Sequence, residues 1–179
     1  MNKTFVAFLS FLIGWGFLIG QAAVPTINWQ TWDNQIPAKS PQKTLVYIYT
    51  DWCTLCKKME TEIFQDTTIA RLVNTYFNPV KLDAETKSAL RFRDESYNYV
   101  RLEKVGYHEL AAKLLDGRLS FPSIVFLDEN QQVIQSLPGF QNTTQLFALL
   151  CYFGMNYYRH VPWTTFQRRL IYPNTAEDQ

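Results

Sequence analysis

The sequence predicts an α/β protein. Three observations carry that expectation. A compact β-branched and aromatic run spans Leu45 to Tyr49, and helical apolar spacing follows it from Cys53 to Phe64. Further along, a strand pattern from Ser123 to Leu127 precedes a long helical stretch after Asn142, so strands and helices alternate along the chain. With 179 residues, one domain is expected, long enough to bury a core without disulfide staples.

The first 22 residues read as an export signal. Lys3 supplies a positive start, Phe5 to Ile19 is apolar apart from Ser10, Gly14 and Gly16, and Gly20-Gln21-Ala22 has the small–x–small form that a signal peptidase needs. Cleavage is expected after Ala22 or Ala23. The alternative is an uncleaved anchor, for which the run is somewhat short of the ~20 apolar residues that span a bilayer. No cysteine follows the run, so a lipid anchor is not expected. Removing Lys3 balances bases and acids, which makes the mature chain neutral. The predicted location is periplasmic or otherwise extracytoplasmic, where cysteine redox chemistry can operate.

Residues 23–43, with Pro25, Pro37 and Pro41, form a lead-in with a short helix or strand around Ile27 to Asp33. Leu45 to Tyr49 is a buried strand that ends in Thr50-Asp51-Trp52. Leu55, Met59 and Ile63 recur at helical spacing, which places a helix from Cys53 to Phe64. Asp66-Thr67-Thr68 reads as the N-cap of a second helix over Ile69 to Phe77, and Pro79 to Asp83 is a second strand. Leu90 to Arg93 and Tyr97 to Val100 alternate around Asp94-Glu95, which predicts a hairpin. His108 to Leu115 is a short helix ended by Asp116-Gly117. After Phe121-Pro122 come a strand to Leu127, a turn at Asp128-Glu129-Asn130 and a strand from Gln132 to Leu137, broken by Gly139. Asn142 caps a helix that is expected to run to about Tyr158. A last short helix is expected between Pro162 and Leu170, and residues 173–179 form a polar tail.

Hydrophobic residues make up 47% and charged residues 18% of the chain, which excludes a disordered protein. The aromatic share of 16% is high and is assigned to core packing ahead of a sticky groove. A formal net charge of +1 with no basic run argues against nucleic acid as a partner. Three cysteines cannot make a disulfide framework, but Cys53 and Cys56 stand at C-x-x-C spacing with Cys151 far away in an apolar stretch.

Cys53-Thr54-Leu55-Cys56 alone is compatible with a zinc half-site, an inert bridge or a redox pair. Zinc needs four ligands, and Cys151, His108 and His160 do not stand at knuckle spacing, so no metal is expected. The context favours redox chemistry, because a buried strand runs into Trp52-Cys53 and a helix starts there. Unpaired N–H groups at a helix start favour an anion, which lowers the pKa of a thiol placed there. Cys56, one turn deeper, is placed to attack the mixed disulfide and release product.

The segment YTDWCTLCKKME resembles the active site of thioredoxin-like proteins, most closely the C-terminal soluble domain of the bacterial transmembrane thiol:disulfide interchange protein. FPSIVFLDENQQVI resembles the second half of the same fold, where a cis proline precedes a strand and hairpin. The resemblance covers roughly residues 40–86 and 107–155. It implies a thioredoxin-like fold over residues 44–172, a central mixed sheet of four or five strands flanked by helices. The stretch from 88 to 106 is longer than that fold needs and reads as an insertion before the cis-Pro strand.

The resemblance makes Cys53 the exposed nucleophile and Cys56 the resolving thiol. It makes Pro122 a cis proline facing the sulfurs, and it makes the backbone of Phe121 a partner for the substrate. Trp52 is expected to shield the sulfurs and offer a contact surface. Two departures stand out. Thr54-Leu55 replaces the Gly-Pro of thioredoxin, and Tyr47 stands where relatives often have a buried acid on the strand. A second acid of the closest relative is matched by Glu60, a candidate proton relay. Tyr47 or a water would stand in for the missing strand acid, or the reaction would run more slowly without one.

Cys151 is expected to be a buried, inert thiol. His108 and His160 are expected to be solvated, as is Lys57 unless it favours the nearby thiolate; Asp51 would tune charge at the rim. The expected activity is thiol–disulfide exchange with protein substrates and a redox partner protein, in the reductive direction, by a monomer with no cofactor and no membrane span after cleavage. A non-catalytic chaperone or adaptor using an aromatic groove is the alternative, and a thiol peroxidase is a third reading.

Overall fold

The structure is a computed structural model, and it describes residues 24–32, 40–103 and 105–171. The predicted signal segment and polar tail lie outside those residues. A five-stranded sheet has the order β1-β3-β2-β8-β9. Its strands are β1 (Gln30–Thr31), β2 (Lys43–Tyr49), β3 (Phe77–Asp83), β8 (Ser123–Leu127) and β9 (Val133–Pro138). β1, β3 and β2 run parallel; β8 and β9 run antiparallel to their neighbours, so the sheet is mixed as expected. The short strand within the predicted lead-in is β1, which extends the edge beside β3.

β2 is central and buried along almost its whole length, as its β-branched and aromatic run requires. Its alternating side chains face two cores. Leu45 and Tyr47 join one with Phe64, Phe77, Phe126 and Phe153, while Val46 and Ile48 join the other with Val80, Leu82, Leu110 and Val125. The first core is covered by α1 (Thr54–Lys58), α2 (Thr67–Tyr76) and α4 (Thr143–Gly154), with Phe166 of the last helix added to it. α3 (Glu109–Leu114) covers the second.

The predicted caps form. Asp66 Oδ1 accepts from Thr68 N–H at 2.8 Å and Ile69 N–H at 3.0 Å, and Asn142 makes a reciprocal capping box with Gln145. Two helices differ from their predicted extents. After Lys58 the first continues as one wide turn, Met59–Ile63, with Phe64 N–H bonded to Met59 O at 2.9 Å. α4 stops at Gly154, short of Tyr158, because Asn156 takes a left-handed conformation with φ 65°. A single turn at Tyr157–Arg159 then leads to α5 (Trp163–Ile171), which packs on α4 through Tyr152, Trp163 and Phe166.

Residues 90–108 form two hairpins where the sequence suggests one. β4 (Leu90–Phe92) pairs with β5 (Glu95–Tyr97), and β6 (Tyr99–Leu102) pairs with β7 (Val105–His108). Tyr99 and Val100 therefore pair with His108 and Tyr107 and not with the Leu90 strand. Leu90 and Phe92 enter the second core, with Trp32 edge-on to Phe92 and its indole N–H donating to Arg91 O at 3.2 Å. The hairpins are tied in beyond the C-terminal end of β3, where Ala84 N–H bonds to Tyr49 O and His108 N–H to Ala84 O.

Candidate redox site

β2 and β8 fix the geometry. Parallel β3 and antiparallel β8 bring the end of β2 level with Asp83 and with Ser123, which pairs with Ile48. The chain leaves β2 at buried Thr50, turns through exposed Asp51 and Trp52, and enters α1 at Cys53. Cys53 is extended, φ −74° and ψ 104°, and is the N-cap of α1. Its sulfur accepts from Cys56 N–H at 3.0 Å, which is how the helix start meets a developing thiolate. Cys53 and Cys56 form a disulfide with S–S 2.07 Å and Cα–Cα 5.2 Å. The two residues are one helical turn apart, which lets their sulfurs meet, as the spacing predicts.

Register puts Phe121-Pro122 directly beyond the start of β8, at the same end of the sheet. The Phe121–Pro122 bond is cis, as the resemblance implies. Its loop is closed by Ser123 Oγ donating to Ser120 O at 2.6 Å. Gly139 N–H donates to Pro122 O at 2.8 Å, and the φ of 90° at Gly139 suits a residue without Cβ. The Trp52 ring stands edge-on to Phe121, with centroids 6.2 Å apart, and is 66% exposed. Trp52, Phe121 and Pro122 thus meet at the rim of the disulfide turn.

One expectation needs correction. Cys53 is not an exposed nucleophile: it is 4% exposed and Cys56 2%. Both belong to the first core with Tyr47, Met59 and Ile63, so in the closed disulfide the sulfurs face packed side chains while Trp52 and Leu55 take the solvent. Glu60 lies on the wide turn after α1. Its Oε1 is 2.6 Å from Lys81 Nζ, and this ion pair is partly exposed. Lys81 in turn sits 5.6–5.9 Å above the Trp29, Tyr49 and Tyr47 rings.

Tyr47, in the place of the missing acid, is wholly buried, and its hydroxyl donates to Cys56 O at 3.1 Å. Burial, then the Glu60 and Tyr49 charges, push its phenol far above the ordinary range, so it stays protonated. Burial also raises the Asp83 carboxyl, at the same end of the sheet, above its ordinary range. Cys151 is free and buried, and burial raises its thiol, in line with an inert role.

His108 contradicts its solvated reading. It is fully buried; its Nδ1 accepts from Leu110 N–H at 3.2 Å as the cap of α3, and its Nε2 lies 3.0 Å from Ser88 O. His160 is exposed, as expected. Sequence reasoning missed Lys81 and the reach of the Tyr47 hydroxyl. A lysine alternating with Val80 and Leu82 inside a strand was the available signal for the first. Among the described residues no helix is long and apolar enough to cross a membrane, and no group of three or more His, Cys, Asp or Glu is placed to hold a metal.

Residues 33–154 match the model of the thioredoxin-like domain, and the chain belongs to that family. Fold and site together define it as a thiol:disulfide oxidoreductase of the thioredoxin-like class. Among solved structures it is similar to a thioredoxin-fold protein from Helicobacter pylori, at 16% identity and TM-score 0.58, over 78% of this chain and 86% of that one. It is also similar to a thioredoxin from Thermus thermophilus, at 18% identity and TM-score 0.53, over 76% of this chain and 98% of that one. At these identities the likeness concerns the fold. No curated protein sequence matches the chain.

Proposed function

We propose that this protein is exported and reduces protein disulfides in the periplasm or another extracytoplasmic space. The observation that carries the reading is the Cys53–Cys56 pair at a strand-to-helix junction, at the same end of the sheet as the cis Phe121–Pro122 loop. In the dithiol form, the Cys53 thiolate attacks a substrate disulfide and one substrate sulfur leaves as a thiolate. Cys56, after losing its proton, then attacks Cys53 Sγ, which closes the protein disulfide and releases the second substrate thiol. Two electrons pass from the protein dithiol to the substrate, and a redox partner protein restores them. Trp52, Phe121 and Pro122 form the contact rim, and Glu60, paired with Lys81, relays protons from the side of the wide turn. Export rests on the apolar run Phe5 to Ile19 and the small–x–small site, and the reductive direction on the resemblance to the soluble domain of the interchange protein.

Insulin reduction and a glutathione redox titration test this reading. The native protein is expected to reduce insulin with a reducing potential, and Cys53→Ser to lose the activity. A potential near that of strong oxidants would overturn the direction. A non-catalytic adaptor is the second reading, favoured by one observation: Cys53 is 4% exposed while Trp52 and Leu55 present 66% and 49% to solvent. Unchanged biological activity in Cys53→Ser would select it.

A further inference from the structure

α1 has only five residues, and it gives way to the wide turn immediately after Lys58. The carbonyls of Leu55 and Cys56 share one donor, the N–H of Met59. A side chain from the sheet adds a tie to this turn: the Tyr47 hydroxyl reaches across the core to Cys56 O at 3.1 Å. The ring behind that hydroxyl is braced on several sides. It stacks on Tyr49 with centroids 5.7 Å apart, meets the edge of Phe64 at 4.8 Å, and lies 5.8 Å from Trp29. A carbonyl only accepts, so the hydroxyl must donate.

We propose that Tyr47 is the positioning residue of the resolving step: its hydroxyl pins the Cys56 carbonyl so that Cys56 Sγ stays aimed at Cys53 Sγ once the disulfide opens. The inference rests on the proposed exchange reaction and assigns Tyr47 no proton transfer. In the step it serves, the Cys56 thiol gives its proton to solvent or to a nearby base. The resulting thiolate forms a bond to Cys53 Sγ, and the Cys53–substrate bond breaks. The electron pair leaves on the substrate sulfur, which takes up a proton from water. Tyr47 keeps its own proton throughout.

Tyr47→Phe tests this by removing one oxygen and leaving the ring. Rapid-quench mass spectrometry with a disulfide peptide separates formation of the Cys53 mixed disulfide from its decay. The expected result is formation within about twofold of native and decay about tenfold slower. In parallel, the equilibrium constant with glutathione should fall about tenfold, a potential about 30 mV less negative. Placing para-aminophenylalanine at position 47 restores an N–H donor and should recover both values. Equal slowing of formation and decay would mean a merely structural tyrosine, and unchanged decay with an unchanged glutathione equilibrium would remove the role altogether. A native protein that forms no mixed disulfide with the peptide while still equilibrating with glutathione would sink the exchange reaction on protein substrates instead, and the glutathione equilibrium of the variant would still decide the fate of Tyr47.

Discussion

Leu45 and Tyr47 point to one side of β2, Val46 and Ile48 to the other, and the two sides are packed with different chemistry. The first is rich in aromatic rings and contains both redox cysteines; its buried polar group, Tyr47, bonds directly to the cysteine turn. The second is mainly aliphatic and takes in Leu90, Phe92 and Tyr97 of the β4–β5 hairpin. Next to it in the chain, buried His108 spends its ring nitrogens on Ser88 O and the N–H of Leu110, at the start of α3. A buried polar side chain thus bonds to the cysteine turn on one side and fastens backbone around α3 on the other. What separates the two cases is the identity of the bonded partner, since both residues are fully buried.

The comparison breaks most sharply at Ile48. Ile48→Ala removes buried aliphatic volume from the second face and is expected to cost about 2–5 kcal/mol of unfolding free energy. Insulin reduction per folded molecule should stay at the native level. Urea unfolding and activity on the folded fraction check both halves, and a specific activity that falls with stability would erase the distinction between the faces.

A smaller effect is expected at His108, through pH. Burial holds its pKa below the ordinary 6.5, against the Ser88 carbonyl and the Glu109 and Asp83 charges, which raise it. The unfolded chain therefore binds more protons at this residue than the native protein, and stability rises with pH across that window. Read downward, stability is full above about 6.5 and is lost as pH falls from there through the folded value. Protonation would also point an Nδ1–H at the Leu110 N–H, opening the cap of α3. His108→Asn keeps a capping oxygen without a titrating group, so its urea midpoint should vary less between pH 7.5 and 5. Parallel pH dependences in native and variant would rule out this account of His108.

The smallest stability change is expected at Trp52. At 66% exposure, Trp52→Ala should leave stability within about 0.5 kcal/mol, while the KM for insulin rises several-fold. An unchanged KM would take Trp52 out of the substrate rim.

The legible parts of this molecule are those written locally in the chain. Leu45–Tyr49, the Asp66 and Asn142 caps, and the C-x-x-C at a helix start each follow from a few adjacent residues and appear where the sequence puts them. The cis proline was legible only through its resemblance to a family motif. Non-local facts were not legible. Which of Tyr97 to Val100 pairs with which partner depends on register across a second hairpin. The burial of His108 depends on Ser88 arriving twenty residues earlier in the chain. The low exposure of Cys53 depends on how the core closes over the sulfurs, and the early stop of α4 depends on one left-handed residue, Asn156.

The central claim is that Cys53 attacks and Cys56 resolves, and Cys56→Ser tests it most directly. Incubated with a disulfide-bonded protein and analysed by peptide mass spectrometry, this variant should accumulate a mixed disulfide at Cys53 that a small reductant releases. No adduct at Cys53, or adducts at Cys151 alone, would contradict the account.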